Sequence, residues 1–190
     1  MAATQHAQSI KQDSQTYLAT ALLQLLVTTD LTDITVTQVV KRAGVSRMAF
    51  YRNFATLDDI LVAHFRPLID AQFDAVMYKQ PAEKMAALSD FLVTNIDVLQ
   101  LAVDRGFEHV IQEIFNDNML RFYKQIDVWS QLTPAQQTYW PQFMSAGVYR
   151  MWREWLLGGQ QESLTTIHDL IGGFQRATLA GLLEQRTGDQ

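Results

Sequence analysis

Residues 35–54 read TVTQVVKRAGVSRMAFYRNF, and they predict two short helices joined by a tight turn. Thr35 is suited to cap the first helix, and Gln38, three residues later, is placed to complete a capping box. Gly44 ends this helix, because a glycine just past a helix accepts the left-handed conformation that other residues resist. Ser46 is placed to cap the second helix. The stretch therefore predicts a helix-turn-helix.

The second helix of this pair has an inward and an outward face. Phe50 and Phe54 point inward at helical spacing. The residues left largely outside are Arg47, Met48, Ala49, Tyr51, Arg52 and Asn53. Arginines, a tyrosine and an amide on one exposed helix suit contacts with phosphates and with base edges in a DNA major groove. The alternative is an ordinary helical hairpin, which one glycine at a turn would not exclude.

Two segments, Ala43-Gly-Val-Ser-Arg47 and Phe50-Tyr-Arg-Asn-Phe54, resemble the DNA-binding motif of the tetracycline-repressor (TetR) family. This similarity covers residues 9–61. A weaker similarity to the C-terminal region of one broad subgroup is carried by Gly147, residues 153–156 (REWL), Gly159 and Ser163. Residues 62–143 carry no motif of this kind.

The resemblance implies a dimeric regulator, in most members a repressor, whose variable C-terminal domain binds an effector. It also implies contacts with bases or nearby backbone by one group of residues: Thr37, Gln38, Arg47, Met48 and Ala49. Tyr51 and Asn53 would contact phosphates. With the two caps and the remaining arginine, the expected DNA-binding residues are Thr35, Thr37, Gln38, Ser46, Arg47, Met48, Ala49, Tyr51, Arg52 and Asn53.

Three positions depart from the family pattern. Leu57 stands where a lysine is frequent, so one expected phosphate contact is missing. Val40 replaces a small residue, which predicts a shifted crossing of the two helices. Ala49 replaces a common threonine, so its methyl is available to a thymine but no hydroxyl is available to a base. The target sequence therefore does not carry over.

The net charge of −5 divides unevenly along the chain. Residues 1–53 carry five Lys or Arg against three Asp or Glu, a net +2, whereas residues 54–190 carry ten against seventeen, a net −7. A weakly basic head on an acidic body is expected when the head alone meets phosphate. Because +2 is modest, we expect two heads to act together. We assign a DNA-binding domain to residues 1–55 and an effector-binding and dimerisation domain to residues 56–190.

Outside the motif, apolar residues recur at helical spacing, which predicts an all-α chain of about nine or ten helices. Ser9 predicts the start of the first helix, and Thr133-Pro134 that of a long late one. Asn116-Asp-Asn118 predicts a break. Thr56 opens a helix that Pro67 interrupts, so this helix is expected to kink or restart. By resemblance it joins the head to the effector domain, and the alternative is an inert bend.

Aromatic and methionine side chains are dense between residues 91 and 152, which is typical of an apolar ligand pocket as well as of a plain core. The expected ligand-binding residues are Phe91, Phe107, Met119, Phe122, Tyr123, Met144, Tyr149 and Trp152. Small residues at four-residue spacing on the last helix favour close helix approach, and with the Gly147 helix they predict a four-helix interface across a two-fold axis. The expected interface residues are Gly147, Leu170, Phe174, Ala177, Gly181 and Leu182. The alternative is packing within one chain.

Enzymatic interpretations find little support. The chain has no cysteine, which excludes disulfides and thiol chemistry. Its four histidines lack metal-ligand spacing, and no phosphate loop or nucleophile motif appears. His109 and His168 each adjoin an acid on a diverging helical face, so we interpret them as surface or core residues. We expect no enzyme, no cofactor, no metal and no membrane partner, and a cytoplasmic location.

These inferences predict a ligand-responsive transcriptional regulator. We expect a homodimeric repressor that a small apolar or amphipathic effector releases from a pseudo-palindromic, double-stranded DNA operator. Two alternatives stay open. The C-terminal domain could serve only assembly or protein partners, or the protein could activate transcription, because the sign depends on operator position.

Overall fold

The computed structural model of the chain describes the backbone of residues 2–188 and the side chains of residues 11–184 other than 81, 82, 85, 89 and 92. This part of the chain forms nine α-helices and two short 3-10 helices without any β-strand, which confirms the all-α prediction. The α-helices are α1 (Ala2–Leu26), α2 (Val36–Ala43), α3 (Arg47–Asn53), α4 (Leu57–Met77), α5 (Pro81–Thr94), α6 (Ile96–Asp104), α7 (Glu108–Tyr123), α8 (Pro134–Leu157) and α9 (Leu164–Gly188). The 3-10 helices span Leu31–Asp33 and Trp129–Gln131. Within the described residues, no helix combines the length and apolar character needed to cross a membrane.

Polar caps begin two of the helices where the sequence predicts them. At α2, the Thr35 N–H donates to Gln38 Oε1 over 2.7 Å, and the Gln38 N–H donates to Thr35 Oγ1 over 3.3 Å. Thr133 and Gln136 form the same reciprocal box at α8. Such boxes satisfy backbone donors that have no partner within the helix. The predicted starts of α2 and α8 are therefore confirmed.

Two predicted helix boundaries are wrong. Helix α1 begins at Ala2, ahead of the start predicted at Ser9, whose side chain lies outside the described residues. The alanines near the N-terminus favour a helical backbone there. Helix α7 runs through residues 116–118 without a break. There, Asn118 Nδ2 donates to Ile114 O over 2.9 Å, so the amide satisfies a carbonyl of its own helix instead of ending it.

The chain divides into two compact units, and the first comprises residues up to Leu68 together with Leu99–Ile111. Helices α1, α2 and α3 pack on one another in this unit. Their fully buried apolar side chains include Leu18, Leu22, Leu26, Val39 and Phe50. The returning segment is fixed by the Leu31 N–H, which donates to Arg105 O over 2.9 Å. An ion pair of 3.2 Å between Arg105 and Asp30 adds a second attachment.

The second unit comprises Ile69–Val98 together with residues from Gln112 onward. Its core contains a chain of ring contacts: Phe73 lies 4.8 Å from Phe91 and 5.7 Å from Phe115, and Phe115 lies 5.4 Å from Tyr149 between centroids. Helix α9 packs against α5 and α8. The functional division expected at residue 55 stays a prediction.

Helix α4 contributes residues to both units and contains Pro67 next to the point of division at Leu68. The helix continues from Leu57 to Met77 as one element, so of the two expected outcomes at the proline, a kink or a restart, the restart does not occur. A proline lacks a single backbone donor, and the turns on either side keep their own hydrogen bonds. The expected kink and its role stay predictions.

Candidate nucleic-acid interface

A left-handed glycine joins α2 to α3. Gly44 has φ 68° and ψ 25°, and its N–H donates to Val40 O, which closes the last turn of α2. The Val45 N–H donates to the same carbonyl over 3.1 Å. Ser46 then caps α3, because its Oγ accepts from the Ala49 N–H over 3.0 Å. The turn between the two helices therefore contains only three residues, as the glycine and the serine cap predict.

Helix α3 presents one buried and one exposed face. Phe50 is 0% exposed and Phe54 is also buried, whereas Met48 is 78% and Tyr51 55% exposed. The predicted DNA-binding residues that are exposed are Thr35, Thr37, Gln38, Ser46, Arg47, Met48, Tyr51 and Arg52. Helix α3 therefore buries its phenylalanine side and leaves Met48 and Tyr51 open to solvent.

Two of the predicted residues do not lie outside as expected. Ala49 is 9% exposed and belongs to the core of the unit in which α3 packs against α1 and α2. The Ala49 methyl is therefore not exposed for the expected contact with the methyl group of a thymine. Asn53 is half-buried, and its Nδ2 donates to Ala49 O over 2.7 Å. Asn53 Oδ1 is buried and has no hydrogen-bond partner among the described residues.

The capping role of Thr35 uses its hydroxyl as both donor and acceptor. Thr35 Oγ1 donates to Gln38 Oε1 over 2.7 Å and accepts from the Gln38 N–H. Gln38 Oε1 is thereby occupied twice, since it also accepts from the Thr35 N–H. The Gln38 amide nitrogen, which is exposed, keeps its two hydrogens for an outside acceptor.

The exposed residues of the two helices lie close together. Arg47 Nη1, on α3, donates to Thr37 Oγ1, on α2, over 3.4 Å. A guanidinium has five donor hydrogens, so most of them stay available for a base edge or a phosphate. Residues 34–57 contain Lys41, Arg42, Arg47 and Arg52 and no acidic residue. The surface is therefore locally cationic on a chain of net negative charge, which favours contact with a polyanion.

A comparison with protein-family models and with curated proteins found no match to this chain. The function is therefore inferred from the residues and their placement.

In the second unit, α8 and α9 carry a large exposed apolar surface. Its most open side chains are Tyr139, Phe143, Leu170 and Phe174. A groove of about 540 Å³ runs along the same helices and is lined by Ala177, Gly181 and Leu182, among others. An added Cβ at Gly147 or Gly181 would meet no described atom within 4 Å, so these glycines are not packed against their own chain.

Tyr139 and Phe143 were missed as interface candidates. The signal was in the sequence, because residues 139, 143 and 147 share one face of α8 at four-residue spacing. Phe143 was instead grouped with the aromatic residues of a pocket or core, and Tyr139 was given no role.

The predicted ligand-binding residues do not form one group. Phe122 and Tyr123 line a cavity of about 300 Å³ in the second unit, together with Trp140 of α8. Phe107 belongs to the first unit, where its ring stacks on Phe65 at 5.9 Å between centroids. The others are buried side chains of the second unit: Phe91, Met119, Met144, Tyr149 and Trp152.

Proposed function

We propose that this protein is a homodimeric transcriptional regulator that binds double-stranded DNA through a helix-turn-helix formed by α2 and α3. The observation that carries the proposal is the exposed face of α3. Arg47, Met48, Tyr51 and Arg52 stand open on a seven-residue helix inside a segment free of acidic residues. In a helical hairpin that serves only to form a core, packing does not require this combination of exposed residues.

On DNA, α3 would enter the major groove and α2 would lie across the backbone. Arg47 is suited to donate two hydrogen bonds to a guanine edge, and Met48 offers an apolar contact to a thymine methyl in place of the buried Ala49. Tyr51 and Arg52, on the next turn, are suited to phosphates. Phosphate contacts would position the helix, whereas Arg47 and Met48 would select the sequence.

The α8–α9 surface supports the dimer. The glycines of α8 and α9 allow two copies of the helix pair to approach closely. The approach would bury the exposed rings of Tyr139, Phe143 and Phe174. Two heads would then read half-sites about 34–36 Å apart, one turn of DNA. Two weakly cationic DNA-binding units joined in one dimer bind DNA more tightly than either unit alone, without any additional type of contact.

A ligand in the second unit would regulate DNA binding through α4, which is shared by both units. Such a ligand shifts DNA affinity only if it binds two conformations unequally, and the coupling is reciprocal. We propose release from the operator, and hence repression, as the ordinary outcome.

The test is selection of fragments from the genome of origin by the full chain, with Arg47→Ala as the comparison protein. We expect enrichment of one pseudo-palindrome by the unmodified protein. Arg47→Ala should enrich it more weakly and should lose the preference at one position of each half-site. Lys79→Ala removes an exposed charge in the second unit and serves as the matched control. Equal enrichment by unmodified protein and Arg47→Ala would overturn the proposed reading helix, and absence of any enriched sequence would overturn the function.

A further inference from the structure

The walls of the 300 Å³ cavity in the second unit combine rings with aliphatic side chains. Tyr123 and Trp140 are buried, with their ring centroids 4.9 Å apart and their planes at 62°. Phe122 lies against Tyr123 at 5.6 Å, and Ile126 and Leu179 line the remaining apolar part. The cavity has a volume near the lower end of the range for small-molecule pockets. Its walls suit an apolar body of modest size.

One hydroxyl in the cavity keeps a free donor. Gln175 Nε2 donates to Tyr123 Oη over 2.8 Å, so the phenol acts as an acceptor in that bond and its own hydrogen is left for another group. A tyrosine phenol is already protonated at neutral pH, and burial raises the pKa of Tyr123 further above its ordinary value. The Trp140 indole is different, because its Nε1 already donates to Thr178 Oγ1 over 3.0 Å.

The charged residues lining the cavity are unequal in sign. Lys84 of α5 and Arg176 of α9 contribute two positive charges, and Asp127 contributes one negative charge. None of the three has an ion-pair partner among the described side chains. Two cations that come from different helices and are not neutralised by the chain favour an anionic ligand group, to which charge-assisted hydrogen bonds are strong.

We propose that this cavity binds a small monocarboxylate with an aromatic or aliphatic body. Lys84 and Arg176 hold the carboxylate, the Tyr123 hydroxyl donates to one of its oxygens, and the body lies against Trp140 and Phe122. The role of this ligand as effector rests on the regulator proposed above, whereas its binding does not.

The experiment is calorimetric titration of the full chain with ligands that share one apolar body and differ in the charge and chemistry of the end group. Cinnamate is compared with cinnamamide and cinnamylamine, and octanoate with octanamide. We expect at least one carboxylate to bind about tenfold or more tightly than its amide, because a charge-assisted bond is lost in the neutral compound. Failure of both carboxylates to bind, or an amide or amine that binds as tightly as its carboxylate in every series that binds, would overturn the proposal.

Variants assign the binding to these residues. Arg176→Gln and Lys84→Gln should each weaken carboxylate binding by about tenfold and leave amide binding unchanged. Tyr123→Phe keeps the ring and should weaken carboxylate binding by a smaller factor. Lys124→Gln, on an exposed side chain at the adjacent position that does not line the cavity, is the control and should bind as the unmodified protein does. Unchanged selectivity in Arg176→Gln and Lys84→Gln would place the carboxylate elsewhere.

DNA binding is measured separately on the same samples. Carboxylate selectivity without sequence-specific DNA binding would support the site and overturn the proposed function. Specific DNA binding without carboxylate selectivity would overturn the site and support the function.

Discussion

Asn118 Nδ2 donates to Asp70 Oδ1 over 2.6 Å and so joins α7 to α4 within the second unit. Asn118 is 1% exposed. The same amide nitrogen also donates to Ile114 O, and Asn118 Oδ1 accepts from Arg121, which pairs with Asp74 at 3.0 Å. Every polar atom of this buried side chain therefore has a partner, and a polar link of this kind holds two helices in one register.

Asn118→Leu should lower the free energy of unfolding by about 1–3 kcal/mol, because Asp70 and Arg121 lose a hydrogen-bond partner at a buried position. Urea denaturation monitored by circular dichroism measures the change. Lys124→Leu, on the exposed end of the same region, controls for the added apolar side chain. A midpoint for Asn118→Leu equal to that of the control would show that the link contributes nothing.

Asp59 should make the stability of the N-terminus of α4 depend on pH. The pKa of its carboxylate is lowered chiefly by the Thr56 backbone N–H, which donates to Oδ2 over 2.9 Å, against a raising effect of burial and with further lowering by the Ala55 N–H at 2.7 Å. An aspartate whose pKa is lower in the folded state stabilises the fold at pH values above its unfolded-state pKa of about 3.9. This stabilisation is lost as the pH falls through the folded-state pKa.

Asp59→Asn should therefore cost no more than about 1 kcal/mol at neutral pH, since the half-buried carboxylate is still partly screened by solvent. The difference from the unmodified protein should shrink as the pH falls below about 4. Urea midpoints at several pH values provide the measurement. A difference independent of pH would exclude the charge as its cause.

Arg47→Ala and Tyr51→Phe should weaken operator binding in different ways. Loss of a base contact should cost about 1–3 kcal/mol and relax preference at one operator position. Loss of the Tyr51 hydroxyl should weaken operator and scrambled duplexes about equally. Fluorescence anisotropy titrations on both duplexes distinguish the two patterns, with Lys79→Ala as control. If neither substitution changes affinity, α3 is not the reading helix.

Gly181→Trp should prevent dimerisation, because its side chain would enter the groove along α8 and α9 that a second copy is proposed to fill. Operator binding should lose its dependence on two half-sites while circular dichroism stays unchanged. Lys124→Trp places the same bulk on an exposed residue of the α7 end and is the control. Light scattering that reports a monomer for the unmodified protein would exclude the proposed interface.

Pro67→Ala should restore one backbone hydrogen bond inside α4 and alter the coupling between ligand and DNA. A coupling of about 1–3 kcal/mol changes operator affinity roughly 5–150-fold. The measurement is operator affinity with and without a saturating concentration of whichever carboxylate binds, cinnamate or octanoate, for both proteins. The affinity for that carboxylate alone is measured alongside. Unchanged coupling would reduce Pro67 to an inert bend.

The features that the sequence determined by itself are local. Three such features are the capping box of Thr35 and Gln38, the left-handed Gly44 and the Ser46 cap. Each depends on bonds within a few residues, so each forms independently of the tertiary packing. Helical spacing was equally sufficient for the all-α class, because periodicity states which residues share a face.

Only the tertiary structure decided what covers each face. Ala49 is buried in the unit in which α3 packs against α1 and α2, and Phe107 stacks on Phe65 of the first unit and does not line the cavity of the second. The cavity brings Lys84 and Arg176 together from helices far apart in sequence. Burial and charge clustering depend on which distant helix packs against a face, and residue spacing within one helix holds no information about that neighbour.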